Sequence, residues 1–522
     1  MTQPRTFDRQ VMLRQLDERK TWDIVIIGGG ATGLGIALDA ACRGYSTLLL
    51  EQHDFTKGTS SRSTKLVHGG VRYLAQGNFK LVYRALHERG ILLRNAPHVV
   101  KPQPFIIPCY TTWEKFKYAA GISFYDLLAG RHSFGKSAFL KATEVCSRFP
   151  NINPKGLKGG VQYFDGRFDD TRLAINIAQT AVELGAVLLN YFEVTGLIKL
   201  HKKIHGIRAM DGETKTQYEI KARCVINATG VFADDILKMD NSEKKPLITP
   251  SQGVHIVINK SFLQSSSALM IPRTSDGRVL FAVPWHDHVL IGTTDTILNQ
   301  HCLEPVAMES EIQFILKNFN QYMVKSPGRG DVLSVFAGLR PLAAASSDVK
   351  TTKEISRDHK LIISKSGLVT ITGGKWTTYR KMAEETINAS VASAGLPKRK
   401  CGTEDKPIHG WSNSPPSSHL SMYGSDEEKI NELIEKEPVL GRTLVEGHPY
   451  LGAEVIWAVR NEMARTLEDV LARRIRILFL DARAAINAAP CVAELMMKEL
   501  HLNEDWKKRQ LNEFISLAQQ YH

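Results

Sequence analysis

Residues 23–44 read DIVIIGGGATGLGIALDAACRG and join an apolar strand to a helix through a glycine-rich turn. The turn has the spacing G-x-G-x-x-G, formed by Gly28, Gly30 and Gly33. Gly28 permits the tight turn, Gly30 lets the backbone approach a pyrophosphate, and Gly33 lets the helix pack closely on the strand. The N-terminal end of the helix dipole then faces the phosphates. This stretch therefore predicts a dinucleotide site.

The next strand, STLLLE at residues 46–51, completes a βαβ unit and ends in Glu51. The fold places at this point a carboxylate that accepts hydrogen bonds from an adenosine ribose. A lone glycine motif is weak evidence, but the strand, turn, helix, strand and terminal acid together favour dinucleotide binding. The unit itself leaves FAD and a nicotinamide cofactor open. CVINATG at residues 224–230 looks like the later strand beside the flavin in flavoenzymes with two dinucleotide-binding folds, although an ordinary buried strand looks the same.

Strand-like and helix-like segments alternate from about residue 22 to 400, which is typical of an α/β protein. The fold class predicted is a Rossmann-like FAD domain with an interleaved β-rich substrate domain, followed by a C-terminal helical domain. Proline, serine and glycine cluster between residues 405 and 421, as in a linker. The predicted divisions are a leader helix at 1–20, the FAD and substrate domains at 21–404, a linker at 405–421 and helices at 422–522.

The composition is that of a folded globular protein, with 43% apolar and 23% charged residues in 522. The net charge of +13 is spread without a basic run of five to eight residues, which argues against nucleic-acid binding. The seven cysteines are scattered without a C-x-x-C pair, so we expect reduced thiols, a cytoplasmic location and no metal site. The sequence contains no signal peptide and no uninterrupted apolar run long enough to span a bilayer.

The stretch TSSRSTKLVHGGVRY, residues 59–73, follows neither helical nor strand periodicity. Its first three residues carry hydroxyls that chain connectivity would take along the cofactor, and Gly69 and Gly70 would let the backbone pass close to a flavin ring. Histidine is the side chain best suited to act as a catalytic base near neutral pH, because its pKa lies near 7. His68 is the first candidate. His255, in SQGVHIVI, is the second, with a satisfied core histidine as the equal alternative.

GTSSRSTKLVHGGVRYL resembles the signature of FAD-dependent glycerol-3-phosphate dehydrogenases. The resemblance continues over about residues 20 to 390 through APHVVKP, RFDDTRL, NATG, VPWHDHVLIGTTDT, AGLRPL and GGKWTTYRKMAE, and the tail segment TLEDVLARR is also similar. It implies FAD as cofactor, sn-glycerol 3-phosphate as substrate and a membrane quinone as electron acceptor. The positive charge and the absence of a spanning segment, taken with that acceptor, predict peripheral attachment to the inner face of the cytoplasmic membrane.

The resemblance also implies the site residues. A phosphate dianion beside a flavin calls for several cations, preferably arginine. Arg72, Tyr73, Arg340 and Lys375 match the substrate-binding positions, and the catalytic set is His68, Arg340 and His255. The predicted cofactor-binding residues are Gly28, Gly30, Thr32, Gly33, Glu51, Thr59, Ser60, Ser61, Lys65, His68, Gly69, Ala228, Gly230, Gly374, Lys375 and Thr377.

Several alternatives stay open at this point. A glycerol-3-phosphate oxidase would differ only in passing electrons to oxygen. A D-amino-acid or sarcosine-type oxidase would share the first βαβ unit but bind a carboxylate with one arginine. An FAD protein that modifies tRNA would suit the basic pI, but the tail alternates acids and bases instead of forming a basic stripe. A non-enzymatic FAD scaffold and a homodimer also remain open.

Overall fold

The structure is a computed structural model that describes residues 7–74, 77–343, 359–414 and 418–522, with the side chains of Arg72, Tyr73 and Ala343 outside the described set. The strands in these residues are β1 (Trp22–Ile27), β2 (Thr47–Leu50), β3 (Leu66–Val67), β4 (Lys101–Cys109), β5 (Ala138–Leu140), β6 (Gly159–Arg167), β7 (Val187–Leu189), β8 (Phe192–Leu200), β9 (Lys203–Asp211), β10 (Gln217–Asn227), β11 (Ile248–Asn259), β12 (Ala268–Ile271), β13 (Leu280–Trp285), β14 (His288–Gly292), β15 (Thr296–Ile297), β16 (Val332–Ala343), β17 (Lys360–Ile363) and β18 (Val369–Thr372). The helices are α1 (Arg9–Glu18), α2 (Ala31–Cys42), α3 (Val71–Leu74), α4 (Phe79–Asn95), α5 (Thr112–Ala129), α6 (Ala142–Arg148), α7 (Asp170–Glu183), α8 (Ala233–Asp240), α9 (Glu309–Asn320), α10 (Tyr379–Ser393), α11 (Glu427–Lys436), α12 (Gly452–Asn461), α13 (Ile477–Leu480), α14 (Ala482–Glu499) and α15 (Glu504–Ala518).

The first sheet is the dinucleotide-binding layer, with strand order β17-β18-β10-β1-β2-β7. Strand β1 runs parallel to both β10 and β2, and β2 runs parallel to β7. Parallel neighbours need crossover connections, and α2 supplies the one between β1 and β2. All four residues of β2 are buried, as expected for a strand covered on both faces. Strands β8 and β9 extend β10 as an antiparallel ribbon.

The second sheet is largely antiparallel, with order β15-β11-β14-β13-β12-β4-β6-β3. Its longest ladder pairs β11 with β16 in antiparallel register, with Ser251 opposite Arg340 and Gly253 opposite Gly338. Because side chains alternate along a strand, Gly253 and His255 lie on the same face of β11. The predicted fold class, with an FAD sheet, an interleaved β-rich sheet and C-terminal helices, is confirmed.

The C-terminal helices share a core with the second sheet. Trp285 and Phe336 of that sheet pack in one apolar cluster with Leu478, Phe479 and the helices that follow. The segment predicted as a linker is also held in place, because Ile408 is buried and His409 contacts both α7 and the residue before α11. Apolar burial and ion pairing therefore anchor the described part of residues 405–421, which the local composition did not indicate. None of the described helices is long and apolar enough to span a bilayer.

Candidate active site

A cavity of about 930 Å³ lies where the first sheet meets the second. Its volume is at the upper end of the roughly 300–1,000 Å³ typical of small-molecule and cofactor sites. Residues of both sheets line it, together with the loop 52–64 and the turn before α10. This position, at the carboxyl ends of β1, β2, β10 and β18, is where open parallel sheets bind ligands.

The glycine turn after β1 forms one end of the cavity. Gly28 has φ of +106°, and a Cβ there would lie 2.8 Å from the Ala228 carbonyl oxygen. Gly30 precedes α2, whose first residue, Ala31, donates its N–H to Ser60 Oγ at 2.9 Å. Gly28, Gly30 and Thr32 line the cavity, as does Ala228. Glycine at position 28 therefore lets the turn pack against the residues that follow β10.

Glu51 occupies the end of β2 with its carboxylate directed at backbone donors. Its oxygens accept the N–H of Gly29 at 2.6 Å and of His53 at 3.0 Å. Burial raises the pKa of the Glu51 carboxyl, and the two backbone donors oppose that shift. The side chain lines the cavity beside Phe192 and Val194 of the β8 region. Ribose hydroxyls reaching this point would supply further donors to a buried acid.

Two further turns close around the same space. Ala228 and Gly230 follow β10, and Gly374, Lys375 and Thr377 follow β18, and all five line the cavity. The N–H of His68 donates to Thr377 Oγ1 at 3.1 Å. The indole Nε1 of Trp376 donates to the Ser60 carbonyl at 2.9 Å. Hydrogen bonds thus join the residues before α10 to the stretch at 59–70. The sequence analysis did not predict that Trp376 holds this stretch, because Ser60 lies 316 residues away in sequence.

The stretch 59–70 has some residues on the cavity wall and others behind it. Thr59, Ser60, Thr64, His68 and Gly70 line the cavity. Thr59 also donates its hydroxyl to the Leu339 carbonyl at 2.6 Å, which ties the stretch to β16. The hydroxyl of Thr64 was not among the predicted site residues.

Four of the predicted cofactor-binding residues, Gly33, Ser61, Lys65 and Gly69, are not among the residues that line the cavity, and their contacts with FAD stay predictions. Ser61 is buried and its carbonyl accepts the Lys65 ammonium at 2.6 Å, while the same ammonium contacts Asp170. Gly69 donates its N–H to Tyr125 Oη at 2.9 Å, away from the cavity. Gly33 packs against the turn itself, since a Cβ there would overlap the Gly28 carbonyl.

Arg340 is placed on the opposite wall by the β11–β16 ladder. Its guanidinium donates to Thr293 Oγ1 at 3.0 Å and to the Thr294 carbonyl at 3.1 Å, and it lies 3.2 Å from an Asp295 carboxylate oxygen. It also covers Gly253, where a Cβ would overlap the guanidinium. Arg340 lines the cavity with part of its surface exposed. An oriented arginine at the wall suits an anion.

His255 lies two residues beyond Gly253 on the same strand face. Its Nε2 hydrogen bonds to Thr64 Oγ1 at 2.9 Å, and its ring stacks on Phe336 with centroids 5.0 Å apart. Burial, together with the charges of Lys65 and Arg340, holds the pKa of His255 well below its usual range. The ring is therefore neutral at pH 7. His255 is at once a buried histidine and a residue of the cavity wall.

The structure brings four of the predicted catalytic and substrate residues to one cavity. Arg340 and His255 stand on the sheet wall, and His68 and Lys375 stand on the side of the cofactor turns. The side chains of Arg72 and Tyr73 lie outside the described residues.

One end of the cavity is apolar and was not predicted. Phe105, Tyr163, Met270, Val279 and Phe281 line it from the second sheet. Apolar residues in or beside strands look like ordinary core, so the sequence did not single these positions out. The rings of Phe105 and Tyr163 stack with centroids 5.1 Å apart.

The residues present fit FAD. The glycine turn leaves space for a pyrophosphate at a helix N-terminus, Glu51 is placed for a ribose, and hydroxyls with two further glycine turns continue from it along the cavity. Residues that would hold the group are Gly28, Gly30, Thr32, Glu51, Thr59, Ser60, Ala228, Gly230, Gly374 and Thr377.

Comparison with protein families gives two matches that together cover most of the chain. Residues 23–380 match the FAD dependent oxidoreductase family, and residues 366–508 match the family described as the C-terminal domain of alpha-glycerophosphate oxidase. The mitochondrial glycerol-3-phosphate dehydrogenase of Rattus norvegicus is 40% identical over 96% of this chain and 74% of the rat protein. The mitochondrial enzyme of Arabidopsis thaliana is 40% identical over 94% of this chain and 84% of its own length.

Solved structures show the same fold. The glycerol-3-phosphate dehydrogenase of Bacillus halodurans, complexed with FAD, is 30% identical with a TM-score of 0.80, over 99% of this chain and 98% of that chain. The L-alpha-glycerophosphate oxidase of Mycoplasma pneumoniae, with FAD bound, is 18% identical with a TM-score of 0.57 over 74% of this chain and 98% of that chain. The second likeness concerns the fold alone.

Proposed function

The chain belongs to the FAD-dependent glycerol-3-phosphate dehydrogenase family, and from that premise we propose that it oxidises sn-glycerol 3-phosphate to dihydroxyacetone phosphate in the cavity described above. The observation that carries the proposal is that Arg340, Lys375 and His255 all line one cavity that also fits FAD. Bound FAD supplies the acceptor for the hydride that leaves C2 of the alcohol.

Arg340 and Lys375 bind the phosphate in this proposal. Arg340 keeps its orientation through bonds to Thr293 and Thr294, so little freedom is lost when an anion arrives. Lys375 also lines the cavity, in the turn before α10. Arg72 and Tyr73 remain predictions as further phosphate contacts. Two cations that line one cavity favour a dianionic phosphate over the single carboxylate of an amino acid.

His255 accepts the proton of the C2 hydroxyl. A neutral imidazole has a lone pair available, and its hydrogen bond to Thr64 orients the ring. A dianion bound at Arg340 would raise the pKa of His255 toward neutrality, because it offsets the positive charges that lower it. His68, the first candidate from sequence, lines the other wall. A pH–rate profile of His255→Asn against His68→Asn assigns the base, since loss of the base removes the limb that rises with pH.

The apolar end of the cavity supports a quinone as electron acceptor. Phe105, Met270 and Phe281 offer a surface that an aromatic acceptor ring would bury. The second candidate is an oxidase, which the match to the alpha-glycerophosphate oxidase C-terminal domain favours. Reduction of a soluble quinone analogue without oxygen uptake supports the dehydrogenase. Oxygen uptake with stoichiometric peroxide supports the oxidase.

Peripheral membrane attachment is also part of the proposal, and the outer face of α5 supports it. Trp113, Phe116, Phe124 and Leu127 follow helical spacing on that face and are all exposed. Phe124 contacts Phe79 of α4 with ring centroids 5.5 Å apart. Basic residues lie in the same segments, at Lys80, Arg84, Lys115, Lys117, Arg131 and Lys136. An exposed aromatic face with basic neighbours matches an anionic bilayer surface.

The test of the substrate is a titration of the holoenzyme with sn-glycerol 3-phosphate while the visible flavin absorbance is followed. We expect bleaching in the wild type and much weaker bleaching in Arg340→Gln at the same substrate concentration. Arg329→Gln is the matched control, because Arg329 pairs with Glu309 at the surface. Absence of bleaching in the wild-type protein that retains FAD would refute the substrate assignment.

The membrane assignment is tested by flotation with vesicles that contain an anionic phospholipid. We expect the wild type to float and Trp113→Ser with Phe116→Ser to stay behind. Trp411→Ser is the control, since Trp411 is an exposed indole away from this face. Equal flotation of the double variant and the control would contradict the role of α5.

A further inference from the structure

The loop that lines the cavity at residues 56–64 has a second face, turned toward the C-terminal region. Its front supplies Thr59, Ser60 and Thr64 to the cavity wall. Its back is covered by residues 466–476, which include a π-helical turn at Asp469–Arg474. The two segments lie about 400 residues apart in sequence and meet through buried charged groups.

Arg476 makes the most direct contact with the loop. Its guanidinium donates to the Ser61 carbonyl at 3.0 Å, to Asp170 at 3.0 Å and to Thr171 Oγ1 at 2.8 Å. The side chain is 1% exposed and lies over the Phe479 ring. Arg476 also has φ of +66°, which a non-glycine residue adopts at a cost of order 1 kcal/mol or more unless its surroundings hold it.

Lys65 approaches the same two acceptors from within the loop. Its ammonium donates to the Ser61 carbonyl and to Asp170, each at 2.6 Å. Trp285, Phe336 and Phe479 surround it with ring centroids 5.2, 5.3 and 5.4 Å away. Lys65 also has a positive φ, of +61°. Two cations from different parts of the chain thus converge on one carbonyl directly behind the cavity wall.

The start of the loop is held in the same way. Asp54 accepts Arg473 Nε at 2.6 Å and both Arg474 terminal nitrogens at 2.9 and 3.0 Å. Lys57 forms an ion pair with Glu468. Asp54 and Arg474 have fully buried side chains. The loop is therefore anchored at its start and behind Ser61 by one continuous C-terminal segment.

We propose that residues 466–476 position the FAD-binding loop, and that Arg476 is a positioning residue that acts through the Ser61 carbonyl. Ser60, the residue before it, receives the first N–H of α2 and the indole of Trp376. A displaced Ser61 carbonyl would shift Ser60 and with it the junction of the glycine turn, the loop and the turn before α10. The C-terminal region thereby completes the cofactor site without touching the cofactor.

The experiment measures FAD retention, so it depends on neither the substrate nor the electron acceptor. Holoenzyme is diluted at 25 °C, and FAD release is followed by the rise of free-flavin fluorescence, with far-UV circular dichroism to verify that the fold is intact. We expect Arg476→Gln to release FAD at least tenfold faster than the wild type and to change the visible circular dichroism of the bound flavin. Arg476→Lys should restore part of the retention, because its ammonium can still pair with Asp170.

Arg460→Gln is the matched control. It breaks an ion pair with Glu499 in the same helical region, with nitrogen–oxygen distances of 2.6 and 2.7 Å. Among the described residues, no hydrogen bond or ion pair joins Arg460 to the loop. We expect its FAD release to stay within twofold of the wild type. Wild-type release from folded Arg476→Gln would overturn the proposal, as would equal release from Arg476→Gln and Arg460→Gln at equal loss of Tm.

A milder variant covers the case in which Arg476→Gln does not fold. Thr171→Val removes one acceptor of the Arg476 guanidinium and keeps the shape of the buried side chain. We expect about threefold faster FAD release from Thr171→Val with an unchanged fold. Release at the wild-type rate would overturn the proposal in the same way.

Discussion

Two groups of cations in this protein differ in what surrounds them. Arg340 and Lys375 line the cavity between the sheets. Lys65, Arg474 and Arg476 have side chains no more than 1% exposed and contact buried carboxylates. Lys65 and Lys375 both follow small or hydroxyl residues in motifs that suggest ligand binding, yet only Lys375 reaches the cavity wall. Arg340 also has a carboxylate neighbour, Asp295, so an ion pair alone does not separate the two groups. The comparison teaches that the segments packed around a motif cation, which are distant in sequence, decide whether it faces the cavity or the interior.

The largest expected effect is a loss of stability when the carboxylate that pairs with the buried cations is removed. Asp54→Asn leaves Arg473 and Arg474 facing a neutral amide in the interior. Breaking a buried pair costs about 3–5 kcal/mol, so we expect a loss of that size in the free energy of unfolding. Denaturant unfolding followed by circular dichroism measures it. A loss below about 1 kcal/mol would mean that this interface contributes no more than surface pairs do.

The cavity group should instead affect catalysis. Arg340→Gln removes a charge that faces the substrate, and we expect kcat/KM for sn-glycerol 3-phosphate to fall by roughly 100-fold or more, equivalent to about 3 kcal/mol. Steady-state kinetics with a soluble acceptor measures the ratio. The FAD content and the unfolding free energy should change little, because Arg340 is partly exposed. A large loss of unfolding free energy with unchanged kcat/KM would show that Arg340 stabilises the fold, as the buried cations do, and does not bind the substrate.

His409 is intermediate between the buried and the cavity cations in its exposure. It pairs with Glu183 and Asp426, its side chain is partly exposed, and its ring can gain or lose a proton as the pH changes. Its hydrogen bonds to Asp426 and Glu183 overcome burial and raise its pKa to about 9. The unfolded value is about 6.5, so the contribution of the charged ring is fully present below about pH 6.5 and is lost as the pH rises through about 9.

We therefore expect His409→Asn to cost on the order of 2 kcal/mol near pH 6 and much less near pH 10. Denaturant unfolding of both proteins at the two pH values measures the difference. A cost that does not depend on pH would show that the ring acts through packing alone.

The smallest effect belongs to an exposed pair. Arg208 and Glu219 lie opposite each other on β9 and β10 with side chains 60% and 69% exposed. Arg208→Ala should change the unfolding free energy by less than about 1 kcal/mol, because solvent screens such pairs. The same unfolding experiment measures it. A loss of unfolding free energy as large as that of Asp54→Asn would show that the contribution of an ion pair to stability does not depend on its burial.

The parts of the site that are local in sequence could be predicted. The βαβ unit, its glycine turn and Glu51 lie within about 30 residues, and their spacing carries the geometry. Arg340 and Lys375, chosen from the resemblance, and His255, chosen as a possible base, all line one cavity.

The sequence did not indicate which way each residue of the predicted stretch faces. Ser61, Lys65 and Gly69 lie in that stretch, but it alternates between the cavity and the interior without a regular period. Their partners, Asp170, Arg476 and Tyr125, are distant in sequence. The segment 405–421 stays a predicted linker, and its composition did not indicate that Ile408 is buried or that His409 contacts two carboxylates.

The contact between Asp54 and Arg474 spans 420 residues, which has a consequence for how the protein is made. During synthesis, the FAD-binding loop emerges from the ribosome long before the arginines that hold its back. Until residues 466–476 arrive, Asp54 and Asp170 have no guanidinium partners from that segment, and the nascent loop is free to sample other conformations. On the proposal that this segment positions the loop, we expect stable uptake of the flavin only after almost the whole polypeptide has been translated.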